Sequence, residues 1–456
     1  MTYDLLVIGG GPCGYVAAIR AAQLGAKVAL IEKEELGGTC LNHGCIPTKA
    51  LLASAEVYHK LGKAKDFGIT VSGFTVDLGA VIDRKDRLVK RLRAGIGSIL
   101  KSYNIEVIKA AASFTGSSSV IAGDKFIAFK KCLIATGSVS VNIPGLETNG
   151  QDIITSTELL NLKEMPSSLL VIGGGVIGIE FASLFSRLGV KVTVVEALNK
   201  ILPFEDDELA SAMAAILTKK GVEFHTGAKV LKIKGTTAEI EKAGQKFSVT
   251  AGKILVSIGR KPNYEGLGLE KAGIALEKNR IKVNDRLETN VRGIYAAGDA
   301  SSKYMLAYVA SAEGLVAAEN ACGKDSKIDH KIIPTCVFTA PEIAHVGLTE
   351  KEAKEKGFKY RVGKFPFAAS GRAQILNETE GFIKVLIDEK TDGFLGVHII
   401  GPEATEIIHS GSIAMKLEST TQEMERIIFN HPTLSEGLME AAHDAHKEAI
   451  DLPKRT

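Results

Sequence analysis

Short apolar runs that end in glycine recur along the chain, and each opens a stretch with helical spacing. Residues 3–8 lead into Gly9-Gly-Gly11-Pro-Cys-Gly14 and an alanine-rich helical pattern, and residues 168–172 lead into Gly173-Gly-Gly175-Val-Ile-Gly178 and a second one. After each helix a further apolar run stops at an acid, residues 26–31 before Glu32 and residues 190–195 before Glu196. Apolar runs of this kind, bounded by glycine and alternating with helices, predict buried parallel strands in α/β units. Three more runs close on a glycine: 132–135 before Thr136-Gly137-Ser138, 254–258 before Gly259-Arg260, and 293–297 before Gly298-Asp299. A small-residue helix is expected from 306 to 318. From about Ile332 the pattern changes to alternating strands, 381–388 and 393–400, with helices after them. The chain therefore reads as α/β, with two Rossmann-like dinucleotide-binding units and a C-terminal α+β segment.

The two units repeat at an offset of 164 residues, from Gly9 to Gly173 and again from Glu32 to Glu196. In G-x-G-x-x-G the first glycine allows the tight turn and the second lets the backbone approach a pyrophosphate. The third lets the helix pack on the strand, and the diphosphate meets the positive helix end. An acid about 20 residues on suits the hydroxyls of an adenosine ribose. Glu196 would repel a 2′-phosphate, and Ala197-Leu198-Asn199-Lys200 supplies no arginine cluster, which favours NAD over NADP. Lys200 reads as a surface lysine. From acid to closing glycine the first unit runs 105 residues (32 to 137) and the second 63 (196 to 259), so the first carries an insertion.

That insertion begins near Cys40 and Cys45, in Gly37-Gly-Thr-Cys40-Leu-Asn-His-Gly-Cys45-Ile-Pro-Thr-Lys49. On a regular helix residues five apart point about 140° from one another. A disulfide also needs Cα atoms within about 4.4–6.8 Å. A bridge here requires a tightened, irregular turn, which the glycines permit. Pro47 suits the first turn of the next helix and puts Cys45 near its N-terminus, where a thiolate is stabilised. A reversible redox dithiol fits best. The competing readings are a zinc site, for which only His43 is local, a structural bridge, and two buried free thiols. Cys13, Cys132, Cys322 and Cys336 read as small buried hydrophobes.

Other groups admit two readings each. Asp299 either accepts hydroxyls of a sugar-like chain or caps a helix. His431 precedes a proline and so takes extended geometry. Glu436, three after Thr433, is either half of a capping box or a carboxylate partner of His431, and a shared carboxylate would satisfy both. The run Glu205-Asp206-Asp207-Glu208 reads as a solvated helix start. His443 and His446 share a helix face without further metal-ligand pattern, so no metal is expected.

Composition narrows the function classes. The 456 residues are 45% hydrophobic and 24% charged, with a formal charge of +3, which gives no reason to expect a nucleic-acid partner. The longest uncharged stretches, 5–19 and 165–179 for instance, are 15 residues long and broken by glycines, short of a membrane span. Six cysteines are too sparse for a secreted disulfide scaffold, and the N-terminus lacks a signal pattern, so a cytoplasmic location is expected, or the mitochondrial matrix for a processed form.

Taken together, the cysteine motif, Ala135-Thr136-Gly137, the two glycine motifs, Ala297-Gly-Asp299 and His431-Pro-Thr-Leu-Ser-Glu436 make the chain resemble the flavin-dependent pyridine nucleotide–disulfide oxidoreductases over essentially its whole length. The likeness is nearest to members that oxidise dihydrolipoyl groups. It implies FAD at Gly9, Gly11, Gly14, Glu32, Lys49, Thr136, Gly137 and Asp299, and, as a weaker transfer, at Ala112, Met305 and Ala307. It implies NAD at Gly173, Gly175, Gly178, Glu196 and Gly259, with Glu180 ion-paired to Lys49 beside the flavin. Without the resemblance, Lys49 and Glu180 would pass as helix-surface residues. It implies catalysis by Cys40, Cys45, His431 and Glu436, with oxidation of protein-bound dihydrolipoyl groups to lipoyl by NAD⁺. Reduction of glutathione-like or other disulfides, or of mercuric ion, is the alternative. An FAD-binding domain of 1–147 and 264–333, an NAD-binding domain of 148–263 and a dimerisation domain of 334–456 follow. So do a homodimer whose second subunit completes the active site, and docking to a lipoyl-bearing acyltransferase of a 2-oxo acid dehydrogenase complex or to a lipoyl carrier protein. His43, Tyr308 and Phe429-Asn430 depart from the family pattern.

Overall fold

A computed structural model describes residues 2–454. The chain divides into two compact units: 1–143, 154–165 and 258–329 form the first, and 144–153, 166–257 and 330–456 the second.

The first unit is built on a sheet of seven strands. Strands Glu106–Lys109, Val28–Glu32, Thr2–Ile8 and Lys125–Ile134 lie side by side and parallel, with Ile294–Ala296 parallel to the last. The hairpin strands Ser119–Ala122 and Ala112–Gly116 continue the sheet antiparallel. Leu6, Ile8, Ala29, Ile31, Cys132 and Ile134 pack on one face, and Leu5, Val7, Leu30 and Leu133 on the other. Burial on both faces is why these strands read as unbroken apolar runs. Helices Pro12–Gln23 and Ala307–Ala321 cover the second face together, and a Cβ on Gly314 would come within 2.5 Å of the Cys13 carbonyl oxygen. The insertion between Val28–Glu32 and Glu106–Lys109 is helical: Gly38–His43, Cys45–Gly62 and Leu78–Ser102, the last capped by Asp77, whose carboxylate accepts from Ala80 N–H at 3.0 Å.

In the second unit, parallel strands Glu223–Thr226, Lys191–Glu196, Ser168–Ile172 and Lys253–Val256 form the repeat of this layout, with helix Val176–Arg187 after the glycine turn. Ala228–Lys234, Thr237–Lys242 and Gln245–Thr250 make a separate antiparallel sheet. The C-terminal segment is an antiparallel sheet in the order Thr335–Val337, Glu342–Gly347, Phe394–Gly401, Phe382–Asp388, Tyr360–Pro366, with helices Ala404–Lys416 and Glu436–Ala445 packed on it. Among the described residues no helix is long and apolar enough to cross a membrane.

Candidate active site

The first glycine turn is shaped as its residue types require. Gly9 sits at φ +106°, which only glycine adopts readily, and a Cβ on Gly14 would lie 1.8 Å from the Gly9 carbonyl oxygen. Gly11 caps helix Pro12–Gln23 without a side-chain hydrogen bond, leaving its first N–H groups for an anion. Glu32 is held by two backbone donors: Oε2 accepts from Gly10 N–H at 2.7 Å and Oε1 from Glu34 N–H at 2.7 Å. Beyond the turn, Gly137 is at φ +69° and its carbonyl accepts from Asn263 N–H at 2.9 Å, while the Thr136 and Ser301 hydroxyls are buried with no protein partner. Asp299 accepts from the Ser138 hydroxyl at 2.6 Å, and Ser138 Oγ accepts from Arg260 Nε at 2.8 Å. Burial pushes the Asp299 carboxyl up, against the pull of Ser138 and Arg260. The helix-cap reading of Asp299 does not hold, because helix Ala307–Ala321 begins after Leu306 and has no side-chain cap. Ala307 opens that helix, Met305 lies just before it, and Ala112 opens strand Ala112–Gly116. A glycine-lined turn, an anchored acid and two unpartnered buried hydroxyls are a donor set that fits FAD.

The cysteine segment is fastened to this turn. Gly37 donates to the Gly10 carbonyl at 2.8 Å, and a Cβ on Gly38 would stand 2.7 Å from Gly11 Cα. Cys40 lies in the short helix Gly38–His43, and Cys45 is the first residue of Cys45–Gly62. Gly44, at φ −144° and ψ −110°, breaks the helix between them, which is the tightened turn that spacing alone demanded. Asn42 Nδ2 donates to the carbonyls of Leu36 at 3.0 Å and Gly38 at 2.9 Å, closing the segment on itself. Neither cysteine is in a disulfide, and both are half-buried. The hydrogen bond to Cys45, followed by burial, pushes the Cys40 thiol far up, while Lys49 one helical turn beyond Cys45 pulls it down.

The second glycine turn repeats the first bond for bond. Gly173 is again at φ +106°, and a Cβ on Gly178 would lie 2.0 Å from the Gly173 carbonyl oxygen. Glu196 Oε2 accepts from Gly174 N–H at 2.6 Å and Oε1 from Leu198 N–H at 2.7 Å. Gly175 caps helix Val176–Arg187 without a side chain, and nothing lies within 4 Å of where its Cβ would be. The open cap and the anchored, largely buried carboxylate fit NAD. Glu180 is buried rather than on the helix surface, and its Oε1 accepts from Phe338 N–H at 2.9 Å. Gly259, at φ +124°, packs with the first unit, its carbonyl accepting from Val141 N–H at 3.0 Å.

In the C-terminal segment, the Glu436 carboxylate is shared. Oε1 meets His431 Nδ1 at 2.8 Å, and Oε2 accepts from Thr433 N–H at 2.6 Å. Only half of the capping box forms, since the Thr433 hydroxyl donates to the Asn430 carbonyl and Ser435 precedes the helix that Glu436 opens. His431 itself is exposed, and its Nδ1 is fixed toward the acid. His446 is engaged by Arg361 and Thr421, and His443 faces Glu425.

The acidic run departs from expectation. Glu205 and Asp206 are each 3% exposed, against a solvated reading of all four acids. Asp206 does cap helix Asp207–Lys219, but it also takes Lys384 Nζ at 3.0 Å, and Glu205 meets His345 Nδ1 at 2.6 Å. Lys200 is not a free surface lysine, since its Nζ donates to the Glu205 carbonyl at 2.9 Å and pairs with Asp207. Cys322 and Cys336 are half-buried, whereas Cys13 and Cys132 are buried as expected. Ser138, Arg260 and Asn42 escaped sequence reading, although Ser138 and Asn42 sit inside the motifs and Arg260 directly follows a closing glycine.

Comparison with known proteins agrees with this geometry. The family model described as pyridine nucleotide-disulphide oxidoreductase matches residues 3–314, and the dimerisation-domain model of the same family matches 333–442. The chain belongs to the pyridine nucleotide-disulphide oxidoreductase family. It carries two Rossmann-like dinucleotide-binding units and the family's C-terminal dimerisation domain. Among curated relatives, dihydrolipoyl dehydrogenase of Bacillus subtilis is 44% identical over 98% of this chain and 99% of its own length, and that of Thermus scotoductus 45% identical over 100% of both. Among solved structures, LpdA of Mycobacterium tuberculosis matches with a TM-score of 0.89 at 29% identity, covering 96% of this chain and 99% of that one.

Proposed function

We propose that this chain is a dihydrolipoyl dehydrogenase, oxidising protein-bound dihydrolipoyl groups to lipoyl groups with NAD⁺ as acceptor through FAD and the Cys40–Cys45 pair. The carrying observation is the dithiol fastened to the first dinucleotide turn through Gly37 and Gly38. His431, oriented by Glu436, takes the proton from a dihydrolipoyl thiol, since only the thiolate attacks a disulfide. That sulfur bonds to Cys40 as the Cys40–Cys45 bond breaks and Cys45 leaves as a thiolate. The second lipoyl thiol loses its proton and displaces Cys40, closing the lipoyl disulfide and leaving both electrons on the cysteine pair. FAD, held by the first glycine turn, Glu32 and Asp299, would supply the two-electron acceptor for the pair, and NAD⁺ the terminal one. Lys49 favours negative charge on the pair. Glu32 and Asp299 bind FAD hydroxyls, and Glu196 the NAD ribose, selecting against a 2′-phosphate.

This reading divides the chain into FAD-binding residues 1–147 and 264–333, NAD-binding residues 148–263 and dimerisation residues 334–456. It makes the enzyme a homodimer in which the partner subunit's His431 serves the cysteine pair. It places the enzyme in the cytoplasm, where thiols stay reduced, with a lipoyl-bearing acyltransferase or carrier protein as its partner. Steady-state assays with lipoamide and glutathione, each with NADH and NADPH, test the function. Turnover with lipoamide and NADH alone is expected. Preference for glutathione or NADPH would replace this reading with that of a related disulfide reductase. Co-sedimentation with a lipoyl acyltransferase tests the partner.

A further inference from the structure

The two glycine turns are clamped alike but anchored differently. In the first, the carbonyl of Gly10 accepts from Gly37 N–H, and the chain then enters helix Gly38–His43, which rests on Gly11. In the second, the carbonyl of Gly174 accepts from Leu202 N–H at 2.8 Å, and no helix follows until Asp207. Residues 197–206 form a loop instead. At one end Leu198 N–H holds Glu196, and Leu198 O accepts from Gly227 N–H at 2.8 Å. In the middle Leu202 takes φ +47°, a left-handed conformation unfavourable for a non-glycine residue. The loop therefore needs a firm hold at its far end.

That hold is a buried ionic cluster from the C-terminal sheet. Lys384 Nζ, on strand Phe382–Asp388 and 1% exposed, meets Asp206 at 3.0 Å, Glu350 at 2.8 Å and Glu208 at 3.3 Å. Asp206 Oδ2 also accepts from Glu350 N–H at 3.2 Å, and Glu205 meets His345 on strand Glu342–Gly347. We infer that Glu205 and Asp206, gripped by His345 and Lys384, are positioning residues for the second nucleotide site, holding loop 197–206 against Gly174 and Glu196 and so setting NAD⁺ affinity without touching the ligand. This rests on the reading of the second unit as the NAD site. The ionic cluster alone would give stability; the Glu205 N–H donating to the Leu202 carbonyl at 2.9 Å, and Leu202 N–H in turn to the Gly174 carbonyl, give it a bearing on the ligand.

The test is calorimetric titration of NAD⁺ into the flavin-loaded full chain, beside lipoamide turnover and thermal melting. Asp206→Asn keeps an oxygen for the Glu208 N–H but removes the charge facing Lys384. Its NAD⁺ Kd and KM are expected to rise about tenfold, with kcat within about twofold and the flavin spectrum unchanged. Glu205→Gln should raise them about threefold. Lys384→Arg, which keeps the cation, should stay within about twofold of the parent. Parent-like NAD⁺ affinity in Asp206→Asn overturns the inference. So does a loss of affinity, kcat and flavin together in step with a lowered melting temperature. Should Asp206→Asn fail to fold, Glu205→Gln decides by the same criteria. A parent chain that binds NADP⁺ but not NAD⁺ overturns the underlying site reading, an outcome distinct from variants that keep parental affinity.

Discussion

Adding one methyl group at Gly14 separates the two nucleotide sites. Its Cβ would stand 1.8 Å from the Gly9 carbonyl oxygen and 2.9 Å from the Gly9 carbonyl carbon, where ordinary contact begins at 3.4 Å. Helix Pro12–Gln23 must move by about 1.6 Å (3.4 less 1.8), because the obstruction is backbone and cannot swing aside. Overpacking typically costs about 1–3 kcal/mol, and a rigid obstacle puts Gly14→Ala at the upper end. In a domain of this size that lowers the melting temperature by about 6–12 °C. The displaced helix end also loses its aim at the pyrophosphate, so the variant should purify with most of its flavin missing and recover stability only in excess FAD. Gly178→Ala, whose Cβ meets the Gly173 carbonyl oxygen at 2.0 Å, should instead keep its flavin and lose NAD⁺ binding. Flavin absorbance per chain, NAD⁺ titration and melting with and without FAD read both variants. A Gly14→Ala protein with full flavin and a parental melting temperature would refute the account of the turn.

Cys40→Ser and Cys45→Ser should each abolish lipoamide turnover while the protein keeps its flavin; near-parental turnover in either would break the proposed relay. Glu436→Gln leaves a neutral partner for His431, and lipoamide turnover is expected to fall on the order of 10²-fold with NAD⁺ KM little changed. Burial, then the neighbouring His345, pushes the fully buried His398 down to about 4 from 6.5. The unfolded chain therefore takes up that proton first, so His398 contributes stability above pH 6.5 that is lost as pH falls toward about 4. The loss amounts to about 3 kcal/mol at 1.36 kcal/mol per unit. Denaturant titrations of parent and His398→Gln at pH 7 and pH 4.5 should show a steeper decline in the parent, and parallel declines would count against it.

Much of the site was legible because its parts are local. The glycine turns, the acids at matched distance and the Cys–x₄–Cys segment each declare their geometry within about 30 residues, the length of a strand–helix–strand unit. The shared carboxylate of Glu436 was legible for the same reason, since Thr433 and His431 lie within five positions of it. For Asp299 only the fold removed the helix-cap reading, because its carboxylate accepts from Ser138, 161 positions away.

The misread acidic run marks the boundary between the two kinds of information. Four consecutive acids look solvated to any local rule, and nothing near them signals a cation 178 positions downstream on another sheet. Periodicity, glycine placement and cofactor-directed motifs belong to the chain itself, because each follows from short-range sterics and spacing. Which charges are buried, and against what, was decided only when distant strands met. Desolvation then made a partner obligatory for every charge they enclosed.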